Sequence, residues 1–158
     1  MQNTYRFLSL GLLLLLLLLP ATAQDTGIFS DGEVNYRLEP FIEANFPVAL
    51  AFAPDGRLFY TEKTTGNVRL VLPDGTRQTE PVITLPTDAL QERGLLGIAL
   101  DPSYENNGYI WVYHTAPGDA VNYPENRVVR FREEDGVGSD PEIMLRIPIT
   151  NGQLLHNG

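Results

Sequence analysis

Residues 47–75 read PVALAFAPDGRLFYTEKTTGNVRLVLPDG, a series of short apolar runs that are separated by turn signals. The turns are Pro54-Asp55-Gly56, Thr64-Thr65-Gly66 and Pro73-Asp74-Gly75, and a further β-prone run follows at Glu80–Leu85. Runs of this kind, bounded by Gly, Pro and Asp, are typical of consecutive antiparallel strands. The stretch therefore predicts four strands that follow one another along the chain.

The same four-strand pattern occurs again farther along the chain. The predicted strands of this second copy are residues 96–100, 109–115, 126–131 and 142–147. Four strands that repeat every ~40–50 residues are typical of a β-propeller blade. A β-sandwich with regular hairpins produces similar signals and stays open as an alternative. We predict an all-β chain that covers about two propeller blades, with only a weak helical turn around Asp88–Glu92 outside the N-terminus.

The first 23 residues have the features of a secretory signal peptide. Arg6 precedes an apolar run from Phe7 to Leu19, and the small-residue site Ala21-Thr22-Ala23 follows. A membrane-spanning helix needs ~20 apolar residues, and this run is shorter, which favours a cleaved signal over an anchor. We therefore predict a cut after Ala23, a secreted or periplasmic protein without a membrane anchor, and a lead-in segment at residues 24–40.

Composition excludes several classes of protein and site. The chain has 158 residues, no cysteine and a formal net charge of −9. An acidic chain is a poor ligand for nucleic acid or for an anionic membrane surface, since both attract basic patches. The lack of cysteine excludes a disulfide scaffold, thiolate metal ligands and a cysteine nucleophile. Because the two histidines lack metal-ligand spacing, we predict no metal site made by protein ligands alone.

Several ordered motifs resemble the glucose/sorbosone dehydrogenase family, the soluble aldose dehydrogenases that use pyrroloquinoline quinone (PQQ). The most specific motif is ERGLLGIALDP at residues 92–102. It is followed in the family's order by NGYIWVY at 107–113, NRVVRF at 126–131 and the terminal HNG at 156–158. The resemblance extends from about Phe41 to Gly158, which is nearly all of the chain after the predicted signal.

This resemblance implies a six-bladed propeller, of which residues 41–158 form about the first two blades and the N-terminal part. It implies oxidation of the C1 hydroxyl of an aldose to the lactone, with hydride transfer to PQQ and onward electron transfer to an external acceptor. A calcium ion is implied beside the quinone. The main cofactor ligands are expected downstream, so we expect this chain alone to be inactive. Two other functions stay open: a non-catalytic propeller that binds carbohydrate or protein, and a calcium-dependent propeller lactonase.

Two residues become candidates for the site through this resemblance. His156 matches the family's catalytic base, and neutral imidazole has a pKa suited to that role. Leu155 departs from the family, because characterised glucose-oxidising members have an acidic residue there. Glu92 occupies the position of a polar amide that faces cofactor and sugar. Its carboxylate could accept sugar hydroxyls but would repel an anionic quinone. A surface position is the alternative for both residues.

Other polar residues receive structural interpretations. We interpret His114 as a packing or rim residue, and Arg93 as solvated or paired beside Glu92. The run Glu133-Glu134-Asp135 is interpreted as a solvated hairpin tip rather than a calcium site, since its spacing is not that of a calcium-binding loop. Three arginines along one predicted strand are expected to pair with carboxylates on a single face: Arg127, Arg130 and Arg132.

Overall fold

The computed structural model describes residues 27–149, and the chain divides into two units, residues 1–39 and 40–158. In the first unit, the described residues form an antiparallel hairpin of β1 (Ile28–Ser30) and β2 (Asn35–Arg37). Asp31 shapes the turn, because its carboxylate accepts two backbone N–H groups and the hydroxyl of Tyr36. The pattern of the sequence did not predict this hairpin, which lies within the lead-in segment.

Some sequence predictions concern residues that the structure does not describe. The signal peptide at residues 1–23, its cut after Ala23 and the candidate base His156 all lie outside the described residues. Within residues 27–149, no helix has the length and apolar character that crossing a membrane requires.

The second unit contains two four-stranded antiparallel sheets. The first sheet consists, in chain order, of β3 (Pro47–Phe52), β4 (Leu58–Glu62), β5 (Asn67–Val71) and β6 (Ile83–Thr84). The second consists, again in chain order, of β7 (Leu95–Leu100), β8 (Tyr109–Ala116), β9 (Glu125–Glu134) and β10 (Val137–Pro148). Each sheet is therefore a meander, as a propeller blade is, and no described strand changes sheets as Greek-key sandwiches require. The predicted all-β propeller architecture is confirmed.

The turns form where the sequence places glycine after aspartate. Gly56 and Gly75 have φ of 87° and 84°, a region that glycine enters without steric cost. The carboxylates of Asp55 and Asp74 accept the backbone N–H two residues ahead. These local bonds fix the turns and bring successive strands together.

The main core lies between the two sheets. Strand alternation points Phe59 and Leu70 of the first sheet, and Ile110 and Phe131 of the second, into one buried cluster. A smaller cluster on the other face of the first sheet contains Leu58, Tyr60 and Val71, with Ile42 and Ala44 packed against it. The two sheets thus bury one face each against the other.

Four predicted elements need correction, and one of them is the strand predicted at residues 126–131, which runs over Glu125–Glu134. The strand predicted at residues 80–85 is only Ile83–Thr84, and the last strand runs over residues 137–148 rather than 142–147. The described helix, α1 (Tyr104–Asn107), lies between β7 and β8 rather than at residues 88–92. Residues 88–92 do not form a helix, because Gln91 has φ of 57° and the Asp88 N–H donates to the Thr115 carbonyl at 2.9 Å.

Candidate functional site

Loop 86–94 connects the two sheets and carries Glu92. It leads from β6 into β7, the edge strand of the second sheet. Strand β7 also contacts β3, the edge strand of the first sheet. The first strands of both sheets therefore lie next to each other, as the strands around a propeller's central channel do.

Lys63, which directly follows β4, connects this loop to the first sheet by two hydrogen bonds. Its Nζ donates to the carbonyl oxygen of Gln91 at 2.6 Å, and its own carbonyl accepts the N–H of Leu95 at 3.1 Å. A Cβ on Gly94 would lie 2.5 Å from Lys63 Cγ and 2.8 Å from Lys63 O, so this approach requires glycine. The loop is thus fixed from the neighbouring sheet on both sides of Glu92.

Arg93 fixes the loop from within. Its side chain is 4% exposed, and Nη1 lies 2.8 Å from Oδ2 of Asp88. A buried guanidinium needs a compensating carboxylate, and Asp88 supplies it. The interpretation of Arg93 as solvated was wrong, whereas the alternative of a pairing near Glu92 agrees with the structure.

Glu92 is exposed and lies between Gln91, whose carbonyl accepts Lys63, and the buried Arg93, just before β7 begins. An accessible carboxylate on a rigid loop can accept hydrogen bonds from hydroxyl groups of a ligand. Its role as a pocket residue stays a prediction, as does its alternative as a solvent-facing loop residue.

The end of the second sheet that holds Glu92 is also where β10 ends. The register pairs Leu95 with His114, and both Ala116 and Pro148 with Glu125. His156 comes eight positions after Pro148 in the sequence, a length that an extended chain can span over at most ~28 Å. The chain thus leaves β10 at the end where Glu92 lies, and the assignment of His156 as the base stays a prediction.

His114 is a packing residue, as the sequence predicted. It is 2% exposed, and its Nδ1 lies 3.3 Å from the hydroxyl oxygen of Thr87. Burial, and then the positive charge of Arg127, lower the pKa of His114 from 6.5 to about 4. The imidazole is therefore neutral at pH 7 and packs against the loop without adding a charge.

Glu133 is a buried polar residue that the sequence analysis misjudged. It is 5% exposed; Oε1 accepts Arg57 Nη1 at 2.7 Å and Gly136 N at 2.6 Å, while Oε2 accepts the hydroxyl of Tyr104. Within the run 133–135, Glu134 and Asp135 are exposed and Glu133 is not, so the prediction of a solvated hairpin tip was wrong for Glu133. The available signal was alternation along β9, which places Glu133 on the buried face of Phe131.

The three arginines of β9 do pair with carboxylates, but not on one face. Their partners are Glu125 for Arg127, Glu142 for Arg130 and Glu134 for Arg132. Alternation places Arg127 on the core face and the other two on the opposite face. On that opposite face, Arg130 lies 4.2 Å from the ring centroid of Tyr109 and 5.6 Å from that of Trp111.

The described residues do not by themselves fit PQQ or calcium. PQQ carries carboxylates, so a site for it needs cations or N–H donors that are free to face it. The two cations that fix the loop of Glu92, Lys63 and Arg93, donate to the Gln91 carbonyl and to Asp88. Across residues 27–149, no group of three or more His, Asp or Glu side chains is placed to hold a metal ion.

Solved structures with a similar fold include sugar dehydrogenases. A putative oxidoreductase (glucose dehydrogenase) from Thermus thermophilus aligns with a TM-score of 0.60 and 34% identity, over 71% of this chain and 32% of that one. The PQQ-bound aldose sugar dehydrogenase from Streptomyces coelicolor aligns with a TM-score of 0.57 and 26% identity, over 66% of this chain and 31% of that one. Both alignments support the propeller-type fold.

A curated relative is similar in sequence. Quinoprotein glucose dehydrogenase B from Acinetobacter calcoaceticus is 36% identical over 74 residues, which is 45% of this chain and 15% of that protein. The chain therefore spans about a third or less of the length of these relatives.

A family profile covers both sheets. The profile described as Glucose / Sorbosone dehydrogenase matches residues 44–158, a range that contains every strand from β3 to β10 and the motif at residues 92–102. The family is one of oxidoreductases that act on sugars, and its quinoprotein members imply PQQ as cofactor. The two meander sheets, the ordered motifs and the profile agree: the chain belongs to the glucose/sorbosone dehydrogenase family.

Proposed function

We propose that this chain is the N-terminal part of an exported quinoprotein dehydrogenase that oxidises the C1 hydroxyl of an aldose to the lactone. The observation that carries the proposal is the rigid presentation of Glu92. Lys63 and Arg93 hold its loop at the end of the second sheet from which the chain continues toward His156. Family membership supplies the class of reaction.

On this proposal, His156 and Glu92 have different roles in the reaction. His156 accepts the proton of the C1 hydroxyl, a role that suits a neutral imidazole. Glu92 accepts hydrogen bonds from other hydroxyls of the sugar and so orients the ring. PQQ, held mainly by residues outside this chain, would supply hydride-accepting chemistry that no side chain offers. The ligands of PQQ and of an associated calcium ion would come mainly from outside this chain.

The proposal includes an organisation and a location. Residues 1–23 act as a signal peptide cut after Ala23, residues 24–40 as a lead-in segment, and residues 41–158 as about two blades. Arg6, the apolar run and the small-residue site support export to the periplasm or the medium. An external electron acceptor then reoxidises the enzyme outside the cytoplasm.

Reconstitution tests the proposal. The full-length protein of which, on this proposal, the chain is the N-terminal part is expressed, loaded with PQQ and Ca²⁺, and assayed for dye reduction with glucose and other aldoses; the 158-residue chain alone is expected to be inactive. We expect PQQ-dependent turnover, and we expect His156→Ala to lower kcat by about two to four orders of magnitude because the proton acceptor is lost. The variant Gln153→Ala, in the same segment, is the control.

Two results would contradict the proposal. No PQQ-dependent oxidation of any aldose would reject the reaction. A His156→Ala enzyme within twofold of the parent would reject this histidine as the base, even if the reaction stands.

A further inference from the structure

Lys63 lies between two residues whose backbone has a left-handed conformation. Phe46, which directly precedes β3, has φ of 51°, and Gln91 in loop 86–94 has φ of 57°. This region is unfavourable for a bulky side chain, and a residue before proline, as Phe46 is, normally stays extended. Such strain persists only where surrounding contacts impose it. Both residues contact Lys63, so this lysine connects the two strained positions.

The backbone around Phe46 fixes where its side chain leaves the chain. The N–H of Lys63 donates to the Phe46 carbonyl at 3.1 Å, next to the pairing of Pro47 with Glu62. The register of β3 against β4 then shifts between Pro47 and Ala49. Irregularities of this kind re-aim the side chains beside them. The hydrogen bond and the register shift together set the direction of the Phe46 side chain.

The ring of Phe46 lies next to the ammonium group of Lys63. Nζ is 5.2 Å from the ring centroid, within the ~6 Å over which an aromatic face attracts a cation. The same Nζ donates to the Gln91 carbonyl at 2.6 Å. A lysine side chain is flexible, and its ammonium group can turn its donors in many directions. The ring on one side and the carbonyl on another therefore restrict the lysine to one arrangement.

Burial does not explain Phe46. This residue is 57% exposed, and it belongs to neither of the two apolar clusters that the described residues form. An exposed phenylalanine removes little apolar area from water, so core packing does not offset its unfavourable backbone. The contact with the ammonium group of Lys63 is a favourable use of the ring, and a non-aromatic side chain would lose it.

Lys63 contacts the loop on both sides of Glu92. Before Glu92, the Gln91 carbonyl accepts Nζ of Lys63. After it, Gly94 packs so closely on the lysine that a Cβ at this position would lie 2.5 Å from Lys63 Cγ. A lysine side chain that moved would therefore loosen both flanks of Glu92 at once. The direction of the Glu92 carboxylate thus depends on the orientation of Lys63.

We propose that Phe46 is a positioning residue for the proposed reaction. Its carbonyl and its ring hold Lys63, and through Lys63 they hold loop 86–94 and the carboxylate of Glu92 in place. Phe46 acts through the lysine rather than on the substrate. The inference rests on the proposed function for its consequence in catalysis, whereas its effect on the loop is measured without any substrate.

Amide hydrogen exchange of loop 86–94, in the full-length protein without substrate or cofactor, tests the hold on the loop. We expect Phe46→Leu to speed this exchange about threefold, because leucine keeps an apolar side chain but lacks the aromatic face. Phe46→Tyr keeps that face and should retain the exchange rate of the parent. Phe29→Leu, at a phenylalanine of similar exposure in the hairpin, is the matched control.

A double variant distinguishes action through Lys63 from a separate effect of Phe46. Phe46→Leu should add nothing to the exchange rate once Lys63→Met is present, because the partner of the ring is gone. Effects that multiply in the double variant would overturn the proposal. Equal exchange rates in the parent and Phe46→Leu would overturn it too, as would equally fast exchange in the leucine and tyrosine variants.

Steady-state kinetics of the reconstituted enzyme tests the consequence for the site. A loosened Glu92 binds the sugar less well both before and during the reaction, so Phe46→Leu should raise KM for glucose about threefold and leave kcat within about twofold. Phe46→Tyr should keep the KM of the parent. An unchanged KM together with faster exchange would overturn the positioning role and leave the oxidation intact. An enzyme that oxidises no aldose would reject the proposed function, and the exchange rates would still support or overturn the hold of Phe46 on the loop.

Discussion

At the scale of single residues, the carboxylate of Glu133 connects the two sheets of the second unit. It pairs with Arg57, which directly precedes β4 of the first sheet, and it accepts the hydroxyl of Tyr104 beside the second. Burial first, and then the hydrogen bond to Glu133, raise the pKa of Tyr104 above its usual value, so this hydroxyl keeps its proton. Arg57 also lies 5.4 Å from the ring centroid of Phe59. One charge thus organises several side chains at the boundary of the two sheets.

We expect Glu133→Ala to lower the free energy of unfolding by about 3 kcal/mol, because Nη1 of Arg57, the Tyr104 hydroxyl and the Gly136 N–H lose their acceptor, while Asp55 still pairs with Nε of Arg57. Glu134→Ala, an exposed neighbour, is the control and should change it by less than about 0.5 kcal/mol. Urea denaturation followed by circular dichroism measures both. Equal small changes for the two variants would show that the buried carboxylate contributes little.

His114 makes the stability depend on pH. Its folded pKa of about 4 lies below its unfolded value of 6.5, so the unfolded chain binds the extra proton first as pH falls. The folded state therefore has its full stability with respect to His114 above pH 6.5, and it loses stability as pH falls from 6.5 toward 4. We expect His114→Phe to flatten this part of the curve relative to the parent, by an amount on the order of 2–3 kcal/mol. Identical pH slopes for parent and variant between pH 7 and 4 would contradict the shift.

At the scale of elements, loop 86–94 is a rigid connection rather than a free linker. Its bonds come from both sheets: Lys63 from the first, and Thr115 from the second. This matters for function because an orienting side chain must be held in place before the substrate arrives. The rigidity of the loop is therefore a property of the pair of sheets.

We expect Lys63→Met to speed amide hydrogen exchange in loop 86–94 about fivefold, because the bond from Nζ to the Gln91 carbonyl is lost while the apolar stem stays. Arg77→Met is the matched control, since Arg77 also donates from the surface to a backbone carbonyl, that of Glu43. Its effect should stay near that carbonyl. Unchanged exchange in loop 86–94 of the Lys63 variant would show that other contacts suffice.

At the scale of the whole second unit, the faces of the two sheets that point away from the main core are only partly covered. Leu50 and Phe52 of β3 are 59% and 68% exposed, and Leu145 and Ile147 of β10 are 50% and 43% exposed. Apolar faces of this kind are protein contact surfaces in general, and in a propeller they face the next blades. These partly exposed apolar faces are consistent with a propeller-type fold, in which neighbouring blades pack face to face.

We expect the 158-residue chain, produced by itself, to associate through these faces. Leu50→Thr combined with Phe52→Thr should shift the equilibrium toward monomer in sedimentation velocity, because the apolar area available for contact falls. Arg37→Thr, on the exposed hairpin, is the control. A parent chain that stays monomeric at high micromolar concentration would contradict this expectation.

The amino-acid sequence determined the strands, the turns and the order of the motifs, because these depend on local propensity and on alternation along the chain. Asp-Gly turns and β-branched runs act within a few residues, so the two meanders could be predicted. The sequence could not predict three contacts: the ion pair of Glu133 with Arg57, the burial of Arg93, and the hydrogen bond from Lys63 to the Gln91 carbonyl. These contacts join residues that are far apart in sequence or depend on which face is buried, and only the packing of one sheet on the other decides them.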